Sequence, residues 1–563
     1  MQFEAEVPSG MQPGETFMAQ TPSGIVPVQV PQGARPGQKV QFMAPSAAPP
    51  SASPVLLGTV VGRPGGGAPP GSSYRPGRPY RVDPMYAGVD QLPLLQGIPE
   101  QRADRKVGEI RKGAVLARDS PPFPARRPCR DVAWAVPFVV VCALVVAAAV
   151  HFSGRIELER ENLKQGEGQR TDVELPPVYS MVVAGAVGAV LSLVAALVFA
   201  CLAQRAPACV VWTSLIFGPA LWMAGGLAMV VAGVVGFGVL FFIIGAMQLC
   251  CVFACFRTFI PFMIKVVEAV SSVLRENPMM IVVSALGSVV AIAWALVCGL
   301  AIVGTSLAYR NEASEHEAYA FFVVSILITL WGLQVFYNVC HVTYCGVFGR
   351  WYFGVERGVA LRKSFWAAAT TSFGSICFGS FLVAAIRTIE AVVRNARANA
   401  AQDGNMACCV ILLVVECIVS CIGDILEYFN EWAYVQCAVR GVSFIQAARI
   451  TYSLITCSNV EYIIQDLLIN SVVSFGSLFC GAVGAAAGAG AGFVADGQEA
   501  AIAGAVIGLL AGLMAGGTAV GVLSSGTKTL LALWAEDPEP LHRSRPELHQ
   551  EFEQRILSKM PPE

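Results

Sequence analysis

Charge is what this chain has least of. Only 14% of its 563 residues are Asp, Glu, Lys or Arg, against 55% hydrophobic, and the mean hydropathy is +0.60. An ordinary soluble domain is about 25% charged, so a water-exposed globular protein is excluded for most of the length. The formal net charge of −1 and the lack of any long basic run remove the footprint of a nucleic-acid binder. Cysteines are missing from hydrophilic loops: nearly all of the 18 lie inside apolar runs, as Cys250, Cys251, Cys408, Cys409, Cys417 and Cys421 do. They read as small buried hydrophobes rather than a disulfide framework or a metal site. No Gly-x-Ser-x-Gly elbow, His-Glu-x-x-His pair or phosphate-binding Gly-x-x-x-x-Gly-Lys-Ser/Thr loop occurs. The expectation is a protein that is not an enzyme, uses no cofactor or metal, and is not driven by ATP. Met1 to Pro8 lacks the charged-then-apolar pattern of a secretory signal, so the first span is expected to act as its own insertion signal.

What is present in quantity is uncharged apolar sequence in runs near the roughly 20 residues needed to cross a bilayer. These predict an all-α polytopic membrane protein of about ten spans, over residues 132–152, 178–202, 208–231, 234–256, 279–307, 318–347, 365–386, 406–428, 463–488 and 500–522. Ala208 to Phe256 is unbroken by charge; at 1.5 Å per residue it would extend roughly 70 Å, so it must hold two spans and a turn near Gly233. Arg257–Asn277 reads as an amphipathic interfacial helix. Glycines four apart, at 484, 488 and 492 and again at 504, 508, 512 and 516, predict two spans whose backbones touch.

Arg126, Arg127 and Arg130 before the first span place the N-terminus in the cytosol, and an even number of spans places the C-terminal tail, 536–563, there too. Arg387, Arg394 and Arg397 would lie outside, against that trend. The transmembrane domain is thus 131–535. Before it, 44–130 reads as a disordered cytosolic linker rich in Pro, Gly and Ser. In 1–43 a Pro-x-Gly segment recurs, Val7 to Phe17 and Val30 to Val40. It is either a small β module that recruits a cytosolic protein partner or a tail with two similar turns.

Polar residues inside spans must be buried against protein or water, since an unpaired polar group in hydrocarbon costs several kcal/mol. On a helix continuing 318–347, residues Gln334, Tyr337, Asn338, His341, Tyr344 and Cys345 share one face with Trp331 at its edge. That stripe is either a seam between helices or the wall of a solute cavity. In 406–428, Glu416, Ser420 and Glu427 share a face with Asp424 beside it. A carboxylate at mid-span costs about 2.5–3.5 kcal/mol on insertion scales, so Glu416 needs a partner, a wet cavity or a cationic solute. Trp331, Tyr337, Tyr344 and Trp351 could offer π faces to a quaternary ammonium. Ser372 and Ser375, in Ser372-Phe-Gly-Ser-Ile-Cys-Phe-Gly-Ser380, read as a cavity floor or a packing hinge.

Several segments together resemble the choline transporter-like family, most closely its fungal and microbial pH-nine-sensitive-type branch. They are Cys129 to Asp131, the run from Asn338 to Phe353, Ser372 to Ser380, Glu427 to Tyr434 with Gly441 to Phe444, and Ala535 to Pro538. They keep the family's order over about residues 129–550. The resemblance implies a ten-span transporter fold with cytosolic ends, most readily in the plasma membrane, with an organellar membrane as the other placement. It implies facilitated passage or exchange of choline, or of a related cation such as ethanolamine. Three departures stand out: the first outer loop is short, Arg440 replaces an aromatic, and Gly423 stands where animal members tend to carry glutamate. The substrate-binding set expected from all this is Trp331, Gln334, Tyr337, Asn338, His341, Tyr344, Ser372, Ser375, Glu416, Ser420 and Asp424. The competing expectation is a non-transporting scaffold, or a carrier of another small solute.

Overall fold

The computed structural model describes the strand residues between 2 and 60, then residues 112–113, 115–166, 178–309, 314–457 and 461–557. It divides into two compact units, 1–79 and 80–563. In the first unit, β1 (Gln2–Glu6) pairs antiparallel with β4 (Lys39–Met43), Gln2 opposite Met43 and Glu6 opposite Lys39. β2 (Thr16–Thr21) and β3 (Gly24–Gln29) form a hairpin with Thr21 opposite Gly24. Two-residue strands extend these pairs: β5 (Leu56–Leu57) runs parallel to β3 and β6 (Thr59–Val60) antiparallel to β4. The Pro/Gly segments between the strands, and the rest of 44–111, lie outside the described residues.

The second unit is helical. Its spans are α1 (Val132–Gly166), α2 (Val178–Arg205), α3 (Pro207–Val231) and α4 (Val235–Cys251), the last continuing as one π turn to Phe256. The amphipathic α5 (Ile260–Glu276) separates them from α6 (Met279–Ala308) and α7 (Glu315–Tyr352). A short α8 (Ala360–Ala369) precedes α9 (Phe373–Gln402) and α10 (Met406–Arg440). Then come α11 (Phe444–Cys457), the glycine-rich α12 (Glu461–Asp496) and α13 (Gln498–Glu536), and the short α14 (Glu539–Ser544) and α15 (Pro546–Leu557). Among the described residues ten helices are long and apolar enough to span a membrane, so the chain is an integral, multi-pass membrane protein.

Local sequence explains the boundaries. Ser314 and Glu317 close a reciprocal capping box at the start of α7, Ser314 N donating to Glu317 Oε2 at 2.8 Å. Asn405 caps α10 by accepting from Cys408 N at 3.1 Å, and Gly441, at φ 65°, ends it in the left-handed conformation a side chain resists. α5 buries Ile260, Met263, Val266, Val267, Val270 and Leu274 on one stripe while Lys265 and Glu268 pair on the other face at 3.1 Å. α9 begins later than hydropathy alone suggests and runs without a break through Arg387–Ala400, because those arginines find carboxylate partners on α9 and α10.

Ten spans return the chain to the face it left. Asp131 and Glu536 mark this terminal face; the opposite one is the distal face. α2, α12 and α13 are welded through their glycines: a Cβ added to Gly488 would lie 2.0 Å from the Gly504 carbonyl oxygen, and one on Gly188 2.8 Å from that of Gly484. α7 is the hub of the other half, packed on α6, α8, α9, α10 and α13. Residues 115–131 are not a loose linker, as expected of 44–130. After a helical turn at 115–119, they form a strap on the terminal face, where Phe123 N donates to Val439 O at 2.8 Å and Arg130 N to Thr371 O at 3.0 Å. The strap adopts left-handed backbone at Phe123 (φ 50°) and Asp131 (φ 51°), a strain its contacts must hold in place.

Candidate functional site

Because α7 is surrounded, its polar stripe faces several neighbours rather than one cavity. Trp331 turns to α1 and α9: its Nε1 donates to Cys377 O at 3.0 Å, and its ring meets Phe138 and Phe381 edge-on at 5.1 and 5.2 Å. Tyr344 is buried towards Ser284 of α6 and Cys340. Trp351 lies at the terminal face under the Arg545 guanidinium, 4.8 Å away. Of the four aromatics expected to cage a cation, only Tyr337 stands among carboxylates, in electrostatic reach of Glu427, Glu431 and Lys528.

The middle of the stripe forms a network. Asn338 Nδ2 donates to Ser380 Oγ at 3.0 Å and to Gln334 Oε1 at 3.4 Å, and Gln334 Nε2 donates to Glu427 Oε1 at 3.3 Å. Ser380 Oγ lies 3.4 Å from Tyr434 Oη. His341 bridges two helices, with Nε2 3.0 Å from the Glu431 carbonyl of α10 and Nδ1 2.7 Å from Ser525 Oγ of α13. A carbonyl only accepts, so Nε2 carries a proton, while the one hydroxyl proton of Ser525 is shared between His341 Nδ1 and the Gly521 carbonyl, each 2.7 Å away. Beside it, Lys528 Nζ of α13 is ion-paired with Glu431 Oε2.

Towards the distal face the network becomes ionic. Arg387 donates to Glu427 at 2.9 Å, to Asp424 at 2.6 Å and to Glu390 at 3.0 Å. Arg394 joins Glu390 at 2.8 Å to Glu416 at 2.9 Å, and Arg397 meets Glu416 at 2.6 Å. These are the arginines that opposed the positive-inside trend; their place is fixed by carboxylates, not by a loop-charge rule. Glu416 therefore pairs near the distal face and not with the α7 stripe. Ser420, half-buried, lies one turn further along α10.

Glu416, nearer the distal end of α10, is only 12% exposed beneath its two arginines, while side-chain exposure is 66% at Asp424, 35% at Glu427 and 15% at Glu431 along α10 and 1% at Lys528 on α13. Below that point His341, Tyr434, Gln436, Cys345 and Phe348 are buried. Between α7, α10 and α13 these groups mark a polar path, called the cleft below, that is closed at the Glu431–Lys528 pair. Its vestibule holds four carboxylates (Glu390, Glu416, Asp424, Glu427) against three guanidiniums (Arg387, Arg394, Arg397), an excess of one negative charge.

Ser375 is engaged on the terminal-face side of this network rather than in it, and Ser372 lies at the start of α9. Ser375 Oγ donates to Asp131 Oδ2 at 2.6 Å, and the same oxygen accepts from Phe444 N at 2.8 Å, so this motif ties α1, α9 and α11 together at the terminal face. A Cβ on Gly374 would lie 2.3 Å from the Asp131 carbonyl, which accounts for the Gly-Ser spelling. It is a packing clasp, not the floor of the cleft. A separate cavity of about 970 Å³ between α6 and α7 is lined by Ile302, Phe321, Phe322 and Ile326, and its one carboxylate, Glu317, is already engaged by Ser314.

Glu427, Glu431, Ser525 and Lys528 were missing from the expected set. Hydropathy closes the two spans at 428 and 522, ahead of Glu431 and Lys528. The legible signal was the apolar sequence that resumes after them, Trp432 to Val439 and Leu530 to Ala535.

A family model described as plasma-membrane choline transporter matches residues 239–539, which include every residue of the cleft. The chain is 28% identical over 323 residues to Protein PNS1 of Yarrowia lipolytica, spanning 53% of this chain and 56% of that protein. It is 26% identical over 363 residues to Protein pns1 of Aspergillus fumigatus, spanning 60% and 67%. With Protein PNS1 of Debaryomyces hansenii the identity is 27% over 423 residues, spanning 71% and 80%. The chain thus spans from little more than half to about two thirds of the first two relatives' length.

Proposed function

The chain belongs to the choline transporter-like family, and on that footing we propose that it carries choline or a related organic cation across the membrane by facilitated diffusion or exchange. The observation that carries the reading is the polar path between α7, α10 and α13, along which Asp424, Glu427 and Glu431 follow one another at 66%, 35% and 15% exposure. A monocation entering from the distal face meets the vestibule's excess negative charge, Glu427 included, and then Glu431, with Tyr337 beside them as a π face. Gln334 and Asn338 act as positioning residues, fixing Glu427 and the α7–α9 contact. Passage to the terminal face requires α10 and α13 to separate below Glu431, since that layer is closed here. No step of chemistry on the solute is involved, and the membrane of residence is the plasma membrane.

The test is uptake of labelled choline into cells lacking their own choline transport, expressing this chain against an empty vector. Saturable uptake above the vector supports the reading. Surface-expressed protein with no uptake of choline or ethanolamine overturns it in favour of a scaffold or a carrier of another solute.

A further inference from the structure

The Glu431–Lys528 pair is lopsided. Both partners lie deep in the bundle, yet the carboxylate keeps 15% exposure towards the cleft while the ammonium, at 1%, sits behind it. The pair is also framed on both sides: His341 holds the Glu431 carbonyl and, through Ser525, the turn of α13 just before Lys528. The backbones are thereby fixed and the lysine's flexible four-carbon stem is left as the mobile part. Elsewhere in this path the cations are arginines: Arg387 spans three carboxylates, Arg394 two, and Arg397 meets Glu416. Here alone among the described pairs of the path the cation is a compact ammonium, the same kind of charge as a substituted ammonium solute.

We propose that Lys528 is a tethered counter-cation: its ammonium occupies the carboxylate that an incoming organic ammonium must take over, so that solute binding at Glu431 is the exchange of one cation for another. This rests on the cleft being a cation path. Exchange keeps the Glu431 carboxylate paired at every stage, whereas leaving it bare would bury an unpaired charge; the displaced ammonium stays in the bundle, so neutral acceptors must hold it. The displaced ammonium has somewhere to go, because the buried Ser524, Ser525, Thr527 and Thr529 surround Lys528 on its own helix and supply hydroxyl and carbonyl acceptors. Returning to Glu431, the lysine evicts the solute. Lys528 thus sets the affinity and prevents the site from holding its cargo too tightly.

The experiment is equilibrium binding of labelled choline to the purified full chain, with exchange flux measured in proteoliposomes. Lys528→Met removes the competitor. If the lysine-withdrawn state is about a tenth of the population, apparent affinity rises about tenfold while exchange flux falls. Lys528→Arg keeps the charge and does not gain affinity. Glu431→Gln with Lys528→Met, which removes both charges together, stays folded and loses binding. Should Lys528→Met be too unstable to purify alone, choline added to the detergent extract must raise its melting temperature more than it raises that of the wild type. Equal or weaker binding by Lys528→Met, or no greater thermal shift, overturns the proposal while wild-type binding leaves the cation path standing. Absence of choline binding by both proteins removes the cation path itself and this proposal with it.

Discussion

Arg127 and Arg440 trade guanidinium groups across the terminal face. Arg127 donates to the carbonyls of Ala438 and Val439, at 2.8 and 2.7 Å, which are the residues just before Arg440. Arg440 returns the contact to the strap, donating to the carbonyls of Ala117 at 2.7 Å and of Ser120. Arg440 also pairs with the buried Glu536 and takes Gln436 Oε1 at 2.8 Å. An aromatic at position 440 could make none of these bonds, so the departure from the family pattern is matched by a strap and an acid that use it. Burial and the neighbouring Arg350 push the Arg127 guanidinium down to about 10, still cationic at neutral pH.

Replacing either arginine therefore has different consequences. Arg127→Ala removes bonds to the carbonyls of the buried Ala438 and Val439, at about 1–3 kcal/mol; trypsin should cut faster at Arg118 and Arg126, and the melting temperature should fall less than in Arg440→Ala. Arg440→Ala strands Glu536, a loss of about 3–5 kcal/mol, and should lower the melting temperature and yield of the whole bundle. Arg440→Met with Glu536→Met should recover much of that loss. A single substitution of Arg440 without thermal effect would show that Glu536 is solvated after all.

A pH dependence follows from Glu356, which follows α7 at the terminal face. Lys363, 2.5 Å away, and then Arg350, 3.0 Å away, hold its carboxyl below the usual carboxylate range, with partial burial opposing them. A carboxyl with a depressed folded-state value adds stability above its unfolded value of about 4.3, and loses it as pH falls through the folded value. Glu356→Gln should melt below the wild type at pH 7, and the gap should close in acid, below about pH 4. A gap independent of pH would mean that the ion pairs contribute nothing measurable.

The glycine weld gives a contrast within one helix. Gly488→Ala places a methyl 2.0 Å from the Gly504 carbonyl and must push α12 off α13, an overpacking loss of about 1–3 kcal/mol or more. Gly490→Ala, with nothing within 4 Å of its Cβ, should be neutral or stabilise by up to about 1 kcal/mol through helix propensity. Thermal melts of the two variants decide it; similar melting temperatures would refute the close approach.

For transport, the carboxylates rank by their distance along α10 from the Glu431–Lys528 pair. Glu427→Gln removes a charge inside the cleft and should raise KM for choline roughly fivefold, the equivalent of about 1 kcal/mol. Glu416→Gln acts at the vestibule, where Arg394 and Arg397 already offset it, and should leave KM within about twofold. The reverse order would move the solute path towards the distal end of α9.

Much of this architecture was legible because it is written locally. The Ser314–Glu317 box, Gly441, the glycine spacings and the amphipathic stripe of α5 each depend on residues a few positions apart. The site was less so. A helical wheel shows that Gln334, Asn338 and His341 share a face, but not that α9, α10 and α13 divide that face between them. Glu431 and Lys528 looked like span ends because hydropathy scores each alone, and together they neutralise each other inside the bundle. Glu416 drew attention as a lone mid-span acid only because its partners, Arg394 and Arg397, lay on a stretch read as a separate amphipathic segment.

The buried pair also bears on biosynthesis. α13 carries Lys528 in a polar turn between two apolar runs, and a lysine inside a span raises the cost of insertion, by up to about 2.5–3.5 kcal/mol at the span's centre. Its neutralising acid is on α10, which is made earlier in chain order. α13 thus reaches the membrane with a liability that only an already inserted neighbour can cancel, while its glycines await α12 and α2 to be covered.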